Sequence, residues 1–359
     1  MTPIRFGANN NPSNQRRNVI CRCKSSVAVV ATAFAAALTA TEASAQWTQF
    51  SLPNLGDAYD ATAFTVLPNG SYVFAQAGTY YHQNGFGAAG YSRYSNVSPS
   101  DSGGPSFLAA WSATEAVAGA GGLDPSDLYV FNPSALSAPG FTAQGLSLQN
   151  YGGVFINSDS LYVAGANGSG SNGYGGGENA ISYVNLSTGA SEVIIDQVST
   201  YSAALALDTA GNLYVADEDN DSVYKFTATQ LSLSIAGSTP LAITNGTFVY
   251  QSGNSLGTMA IDSQDRIWSS GYLESGLQVY DPATGLETTV IPGLTNDNYM
   301  VTTFSAGGQG YVAYTDQANP GEAGTAQYYG FEAIPEPATL ALTLTGLVAV
   351  VVCRRKSSR

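Results

Sequence analysis

The chain has 359 residues, of which only 11% are charged, and it contains 40 glycines and 22 tyrosines. This composition excludes coiled coils and helical bundles, and a hydrophobic content of 44% excludes a wholly disordered chain. The formal charge is -14, but residues 46–334 hold only three basic residues against 24 acidic ones, a formal charge of -21. Such an acidic body repels phosphate backbones, which excludes nucleic-acid partners.

The first 45 residues show the order of features of an export signal. A basic stretch ends at Lys24, an apolar run covers residues 27–40, and Ala43 and Ala45 form an A-x-A cleavage site. The apolar run is too short to span a bilayer comfortably. We therefore expect signal peptidase to cut before Gln46, so that residues 1–45 are removed on export.

Two strand patterns alternate through residues 46–333. The first is a short apolar strand, a polar turn and a second apolar strand. It occurs at residues 64–76, 154–165, 205–217, 259–271 and 303–315, with a weaker copy at 107–119. Its turns contain Asn-Gly, Gly-Asn or Asp and Ser, which tolerate hairpin geometry.

The second pattern is a strand with an apolar or aromatic anchor, followed by a turn. Its anchors are Tyr94, Phe131, Val184, Phe226, Tyr280 and Phe331. Their spacing of 37 to 54 residues is typical of propellers, in which radial stacking buries both faces of four-stranded sheets. We predict an all-β domain, a six-bladed β-propeller of roughly four strands per unit, with a seven-bladed ring or a β-sandwich as alternatives.

The ends of residues 46–333 are expected to meet in one sheet. A strand near residues 47–50 would complete the last blade beside residues 328–331 and close the ring. No stretch of the body shows a sustained apolar period of 3.6 residues, so no helical domain is expected.

Two units carry a family resemblance. The segment LALDTAGNLYVADEDNDSVYKF at residues 205–226 resembles an NHL repeat, and MAIDSQDRIWSSG at 259–271 is similar. NHL propellers overlap in pattern with SMP-30/gluconolactonase-like propellers, so the resemblance implies a propeller fold. It also implies a metal at the central channel, held by an early Glu and later Asn and Asp residues, but residues 54–60 lack the early Glu.

An acidic turn is the candidate metal site. Asp217, Glu218, Asp219 and Asp221 place four carboxylates within five residues, and calcium favours clustered carboxylates and carbonyls. The spacing is not that of an EF-hand loop, and a solvated turn without metal is the alternative. Asp208 and Asp262, which end strands just before turns, are expected to accept turn N–H groups.

No catalytic residue is predicted. His82 is the only histidine, and we interpret it as an exposed loop residue. Without cysteine in the body, one histidine cannot build a zinc site. Exposed tyrosines such as Tyr80, Tyr81 and Tyr174 could stack on sugar rings or could pack internally. The glycine-rich residues 165–177 are expected to form a flexible loop.

The C-terminal residues 334–359 form a second signal. Pro335, Glu336 and Pro337 precede an apolar stretch at residues 338–353, and the basic cluster Arg354, Arg355 and Lys356 should stay cytoplasmic. This arrangement closely resembles the PEP-CTERM sorting signal of Gram-negative bacteria. The resemblance implies a transmembrane helix held in the inner membrane until an exosortase recognises Pro-Glu-Pro and removes the tail. It also implies delivery to a surface, biofilm or exopolysaccharide matrix.

Removal of both signals leaves a chain without cysteine, because Cys21, Cys23 and Cys353 lie in the removed segments. Disulfides are therefore excluded from the mature chain, and its stability must come from its core. The first hypothesis for function is a non-enzymatic surface propeller that binds a polysaccharide or a surface protein. The alternatives are a calcium-dependent lactonase-like hydrolase or lyase at the ring centre and a purely structural matrix glycoprotein.

Overall fold

The computed structural model describes sixteen stretches between residues 49 and 333. They are residues 49–51, 62–76, 79–85, 92–94, 107–119, 127–135, 142–144, 150, 152–166, 179–198, 204–253, 256–270, 276–292, 301–306, 309–317 and 327–333. At some of these positions, including Arg93 and Asp219, only the main chain is described. The contacts of residues 47–334 form one compact unit.

The described strands form six sheets, numbered here in the chain order of their inner strands. Sheet 1 contains β2 (Thr62–Val66), β3 (Tyr72–Gln76), β4 (Thr79–Gln83) and β5 (Ser92–Tyr94). Sheet 2 contains β6 (Phe107–Ala110), β7 (Ala116–Gly119), β8 (Leu128–Phe131) and β9 (Thr142–Ala143). Sheet 3 contains β10 (Gly152–Phe155), β11 (Ser160–Ala166), β12 (Asn179–Asn185), β13 (Ala190–Val198) and β17 (Leu241–Ala242).

The remaining three sheets have four strands each. Sheet 4 contains β14 (Leu205–Leu207), β15 (Leu213–Asp217), β16 (Ser222–Phe226) and β18 (Thr247–Gln251). Sheet 5 contains β19 (Thr258–Ile261), β20 (Ile267–Ser270), β21 (Gly276–Asp281) and β22 (Leu286–Pro292). Sheet 6 contains β23 (Val301–Ala306), β24 (Gln309–Gln317), β25 (Gln327–Ala333) and β1 (Gln49–Ser51).

Each sheet buries both faces against its two neighbours, which defines an all-β propeller and excludes the β-sandwich. Six apolar clusters fill the interfaces between consecutive sheets, and the last one joins sheet 6 to sheet 1. Pairs that share a cluster across successive interfaces are Tyr80 and Phe131, Phe107 and Leu161, Ile181 and Leu213, Tyr214 and Met259, Trp268 and Val312, and Ala313 and Phe64. The burial of both faces supplies the core that residues 47–334, which contain no cysteine, require.

The strand β1 closes the ring as the sequence predicts. It pairs antiparallel with β25, with Phe50 opposite Phe331 and Gln49 opposite Glu332. The two ends of the compact unit therefore meet in sheet 6. This pairing joins residues that are about 280 positions apart in sequence, so it ties the ring together without a covalent cross-link.

The hairpin turns follow the predicted glycine chemistry. Gly70 and Gly211 adopt positive φ angles of 84° and 79° in the turns between the first two strands of sheets 1 and 4. In sheet 5 the position equivalent to Gly211 is Asp265, which takes the left-handed conformation with a φ of 58°. The turn geometry is thus kept even where the favoured glycine is replaced.

An insertion between β16 and β18 departs from the predicted repeat. The sequence at residues 223–232 predicts a strand and then a turn, but the chain continues from β16 into the ten-residue helix α1 (Ala228–Gly237). Thr227 and Gln230 form a capping box: Thr227 Oγ1 accepts from the Gln230 N–H at 3.2 Å, and Gln230 Oε1 accepts from the Thr227 N–H at 2.9 Å. This local pattern begins a helix, so the predicted turn is wrong here.

The insertion attaches sheet 4 to the outer edge of sheet 3. Ser234 of α1 donates a hydrogen bond to the Ile194 carbonyl of β13 at 3.0 Å. The short strand β17 then pairs in parallel with β13 as a fifth strand, with Leu241 opposite Ile195. Five of the six sheets therefore have the four strands predicted for a unit, and sheet 3 does not.

Candidate functional site

Asp208 organises the first turn of sheet 4. Its Oδ1 accepts from the main-chain N–H groups of Ala210 at 3.0 Å and Asn212 at 2.9 Å. Its Oδ2 accepts from Asn212 Nδ2 at 2.8 Å and from Lys225 Nζ at 3.0 Å. Both carboxylate oxygens are thus fully engaged with the protein, and the prediction that Asp208 accepts turn N–H groups is confirmed.

The ion pair of this turn shifts the pKa of both partners. Burial alone would raise the pKa of Asp208, but hydrogen bonds from Asn212 and Lys225 outweigh burial and hold that pKa below its usual value. Burial alone would lower the pKa of Lys225, but its bonds to Tyr214 and Asp208 raise that pKa instead. Each partner is therefore held in its charged form.

Asp262 has the same position in sheet 5 and the same prediction is confirmed. Its Oδ1 accepts from the main-chain N–H groups of Gln264 at 2.8 Å and Arg266 at 3.1 Å. Its Oδ2 accepts from Arg266 Nε and from Trp268 Nε1, both at 2.8 Å. The side chain is fully buried, and its four donors leave no place for a metal or substrate.

The roles of Lys225 and Arg266 were not predicted from the sequence. Each forms an ion pair with the aspartate of its turn, at 3.0 Å and 2.8 Å. The signal that could have identified them is scarcity, because they are two of only three basic residues between positions 46 and 334. A rare cation in an acidic β-protein is expected to have a fixed anionic partner.

The acidic turn at residues 217–221 is built differently. Asp217 ends β15 and is only 5% exposed, and the following Glu218–Asn220 form a 3-10 turn. Asp217 Oδ2 accepts from Asn220 Nδ2 at 2.8 Å, whereas its Oδ1 is buried without a hydrogen-bond partner. Asp221 then takes a left-handed φ of 48°, which turns the chain into β16.

The predicted carboxylate ligands do not converge. Among the described residues no three Asp, Glu, His or Cys side chains lie close enough to hold a metal ion, and Asp219 is described by its main chain alone. A cation bound here would therefore need main-chain, amide and water oxygens in addition to carboxylates, a mixture that calcium accepts. The calcium site at Asp217, Glu218, Asp219 and Asp221 stays a prediction.

His82 is not an exposed loop residue, so that interpretation is wrong. It lies within β4, opposite Val73 of β3, and is 6% exposed. Burial lowers the pKa of its imidazole below the ordinary value. The strand is covered on both faces by neighbouring sheets, which is why a polar residue in it is buried.

Tyr80 and Tyr81 are core residues and cannot serve as an exposed sugar-stacking surface. The ring of Tyr80 meets Phe131 edge to face at 5.4 Å, and the ring of Tyr81 stacks on Phe74 at 4.9 Å. Burial also raises the pKa of Tyr80. The alternative that these tyrosines pack internally is therefore confirmed for Tyr80 and Tyr81. Tyr174 lies outside the described residues.

The sorting residues also lie outside the described residues. These are Ala43, Ala45, Pro335, Glu336, Pro337, Arg354, Arg355 and Lys356. Residues 54–60 and 167–177 are likewise not described. Of the helices within the described ranges, none is long and apolar enough to cross a membrane.

The chain matches no protein family model and no curated protein sequence. It is, however, similar in structure to known propellers. A calcium-binding protein, regucalcin from Agrobacterium tumefaciens str. C58, aligns with 12% identity and a TM-score of 0.56, covering 79% of this chain and 96% of that one. A luciferin-regenerating enzyme aligns with 10% identity and a TM-score of 0.56, covering 79% and 95%.

A third structure, of a protein proposed to be a gluconolactonase, aligns with 12% identity and a TM-score of 0.53, covering 80% of this chain and 93% of that one. At these identities the likeness establishes the fold, which agrees with the propeller predicted from the sequence.

Proposed function

We propose that the propeller body is a calcium-dependent hydrolase of the lactonase kind. The observation that carries the proposal is the fold likeness, over 79–80% of the chain, to regucalcin and to a proposed gluconolactonase. The non-enzymatic alternative loses part of its motivation because Tyr80 and Tyr81, two of the tyrosines suggested for sugar stacking, are buried. The lone buried oxygen of Asp217 fits a calcium requirement, since calcium prefers such oxygen ligands.

The reaction class is hydrolysis of a cyclic ester. Water adds to the carbonyl carbon, the ring C–O bond breaks, and a proton passes to the released alkoxide. Bound calcium would polarise the carbonyl oxygen as a Lewis acid. The ligand set would differ from the lactonase-like pattern, because residues 54–60 contain no early glutamate.

Hydrolysis of gluconolactone by a chain spanning residues 46–334, followed by acid release at constant pH, tests the proposal. We expect turnover in millimolar calcium, loss of turnover in EDTA, and recovery when calcium is restored. Spontaneous hydrolysis in the same buffer without protein is the baseline. Rates at that baseline across a panel of lactones in calcium would overturn the hydrolase proposal.

We further propose that the chain is exported and sorted to the cell surface of a Gram-negative bacterium. The order of features in residues 1–45 and 334–359 supports this routing. The ring is compatible with both cuts, because β1 begins at Gln49 and β25 ends at Ala333. Cleavage before Gln46 and at Pro335–Pro337 therefore removes no described strand.

Intact-mass measurement of the secreted protein tests the routing. In a host with an exosortase we expect an N-terminus at Gln46 and loss of the tail beyond the Pro-Glu-Pro motif. The variant Glu336→Ala should keep its tail and stay with the inner membrane, while export itself continues. Recovery of the uncut chain from the cytosol would contradict the proposal.

Binding of the processed form to host exopolysaccharide, without lactone hydrolysis, would favour the second candidate function, a surface-binding propeller.

A further inference from the structure

The carboxylate of Asp217 is buried with only one of its oxygens satisfied. Asn220 donates to Oδ2 at 2.8 Å, and Oδ1 has no hydrogen-bond partner in the structure. Buried carboxylates are normally paired with a cation or hydrogen-bonded at both oxygens, because an unpaired buried charge is costly. The lone oxygen therefore lacks the cation or hydrogen-bond donor that a buried carboxylate oxygen normally has.

The described protein side chains do not supply that partner. Lys225 and Arg266 are committed to Asp208 and Asp262 through contacts of 3.0 Å and 2.8 Å. Arg93, the remaining basic residue of the body, is described by its main chain alone and lies on β5 of sheet 1. Sheets 1 and 4 are not neighbours, since sheets 2 and 3 separate them along the ring.

Asp217 lies where the interface with sheet 3 meets the turn at residues 218–221. Leu213 and Val215 of β15 pack towards sheet 3, and strand alternation places Asp217 on the same face. The carboxylate meets the turn through Asn220, which is exposed, while Glu218 and Asp221 are half-buried. A buried carboxylate is therefore held, through Asn220, at a turn in which Glu218, Asn220 and Asp221 are partly or fully open to solvent.

We propose that residues 217–221 bind one calcium ion, with Asp217 Oδ1 as the buried ligand. Glu218 and Asp221 add negative charge, and amide, main-chain and water oxygens complete the ligand set. This irregular mixture suits calcium, whereas magnesium demands a near-ideal octahedron. The site deepens the proposed function, because it would give the hydrolase its metal, but calcium binding itself is independent of catalysis.

Thermal unfolding of the mature chain with and without calcium tests the site. A weak extracellular-type site has a Kd of about 10⁻⁴ to 10⁻³ M, so 5 mM CaCl₂ should raise the Tm by about 3 °C for a domain of this size. We expect Asp217→Asn to lose this rise while its Tm in EDTA stays equal to or above that of the wild type, because the substitution removes an unpaired buried charge. A purely structural aspartate would instead lower the Tm in both buffers.

The matched control is Asp159→Asn, which removes the same charge from an exposed turn and should keep the full calcium response. Equal amounts of MgCl₂ should give a much smaller rise. Equal calcium responses in the wild type and Asp217→Asn would overturn the site, since they would show only adventitious binding to the acidic surface. If the wild type does not hydrolyse lactones but shows a calcium shift that depends on Asp217, the hydrolase proposal is refuted and the calcium site stands. If it hydrolyses lactones but the shift does not depend on Asp217, the site alone is refuted.

Discussion

Asp208 precedes the strand β15 and Asp217 is its last residue, and the surroundings of the two carboxylates are opposite. Asp208 accepts four bonds of 3.0 Å or less from two main-chain N–H groups, an amide and an ammonium group. Asp217 accepts one bond and leaves one oxygen alone. The difference teaches that the two carboxylates have different purposes. The first is satisfied by the fold, whereas in our proposal the second is satisfied by a bound calcium ion.

Sheet 5 extends this comparison. It repeats the saturated turn, with Asp262 in the place of Asp208 and Trp268 in the place of Tyr214. It does not repeat the unsaturated turn, because the position equivalent to Asp217 is Gly271. A feature shared by neighbouring units belongs to the architecture of the repeat, whereas a feature confined to one unit is a candidate for function.

The largest expected effect comes from Asp262→Ala. The side chain is fully buried, and its removal leaves the Arg266 guanidinium and the Trp268 N–H without their acceptor. Breaking such a buried pair should lower the free energy of unfolding by about 3–5 kcal/mol. Urea unfolding at pH 7 measures this loss of unfolding free energy. Asp159→Ala, in an exposed turn, should change stability by less than about 0.5 kcal/mol. A loss as small as that of the control would show that saturation of Asp262 does not stabilise the fold.

The sequence predicted the repeat architecture and the saturated turns because both depend on local chemistry. Alternating apolar segments with Asn-Gly and Gly-Asn turns predict the hairpins, and an aspartate just before such a turn predicts its N–H contacts. The ring closure through β1 followed from the shortage of strands in the last unit. These features repeat along the chain, so one unit supports the interpretation of the next.

Burial and the helical insertion could not be predicted in the same way. Strands covered on both faces need not alternate polar and apolar residues, so Tyr80-Tyr81-His82 gave no sign of its burial. The helix α1 is only ten residues long, and its one clear signal, the pair Thr227 and Gln230, is confined to its start. The lone oxygen of Asp217 depends on which neighbours the fold brings near, and the composition of an acidic turn does not reveal that.

A smaller loss of stability than that of Asp262→Ala is expected for Asp208→Asn, which keeps the shape of the side chain but removes its charge. Hydrogen bonds to charged groups contribute about 1.5–3 kcal/mol each, so we expect a loss of about 2 kcal/mol at pH 7, with Lys225 left without its anionic partner. The pH dependence distinguishes this pair from a simple packing defect. Because the pKa of Asp208 is lowered in the folded state, its contribution is present above its ordinary value of about 3.9 and is lost as the pH falls through the lower folded value.

The pKa of Lys225 sets the upper end of the pH range in which the Asp208–Lys225 ion pair stabilises the fold. The pKa of Lys225 is raised in the folded state. Its contribution to the free energy of unfolding is therefore complete below the ordinary pKa of about 10.4 and is lost as the pH rises through the higher folded value. The difference in unfolding free energy between the wild type and Asp208→Asn should therefore be constant from about pH 5 to pH 9 and should shrink on the acid side. Lys225→Met should give a smaller acid-side change, because it leaves the Asn212 hydrogen bonds that also lower the pKa of Asp208. A difference that stays constant down to pH 3 would mean that the loss does not come from the charge of Asp208, and the contrast with Asp217 would then not be one of charge.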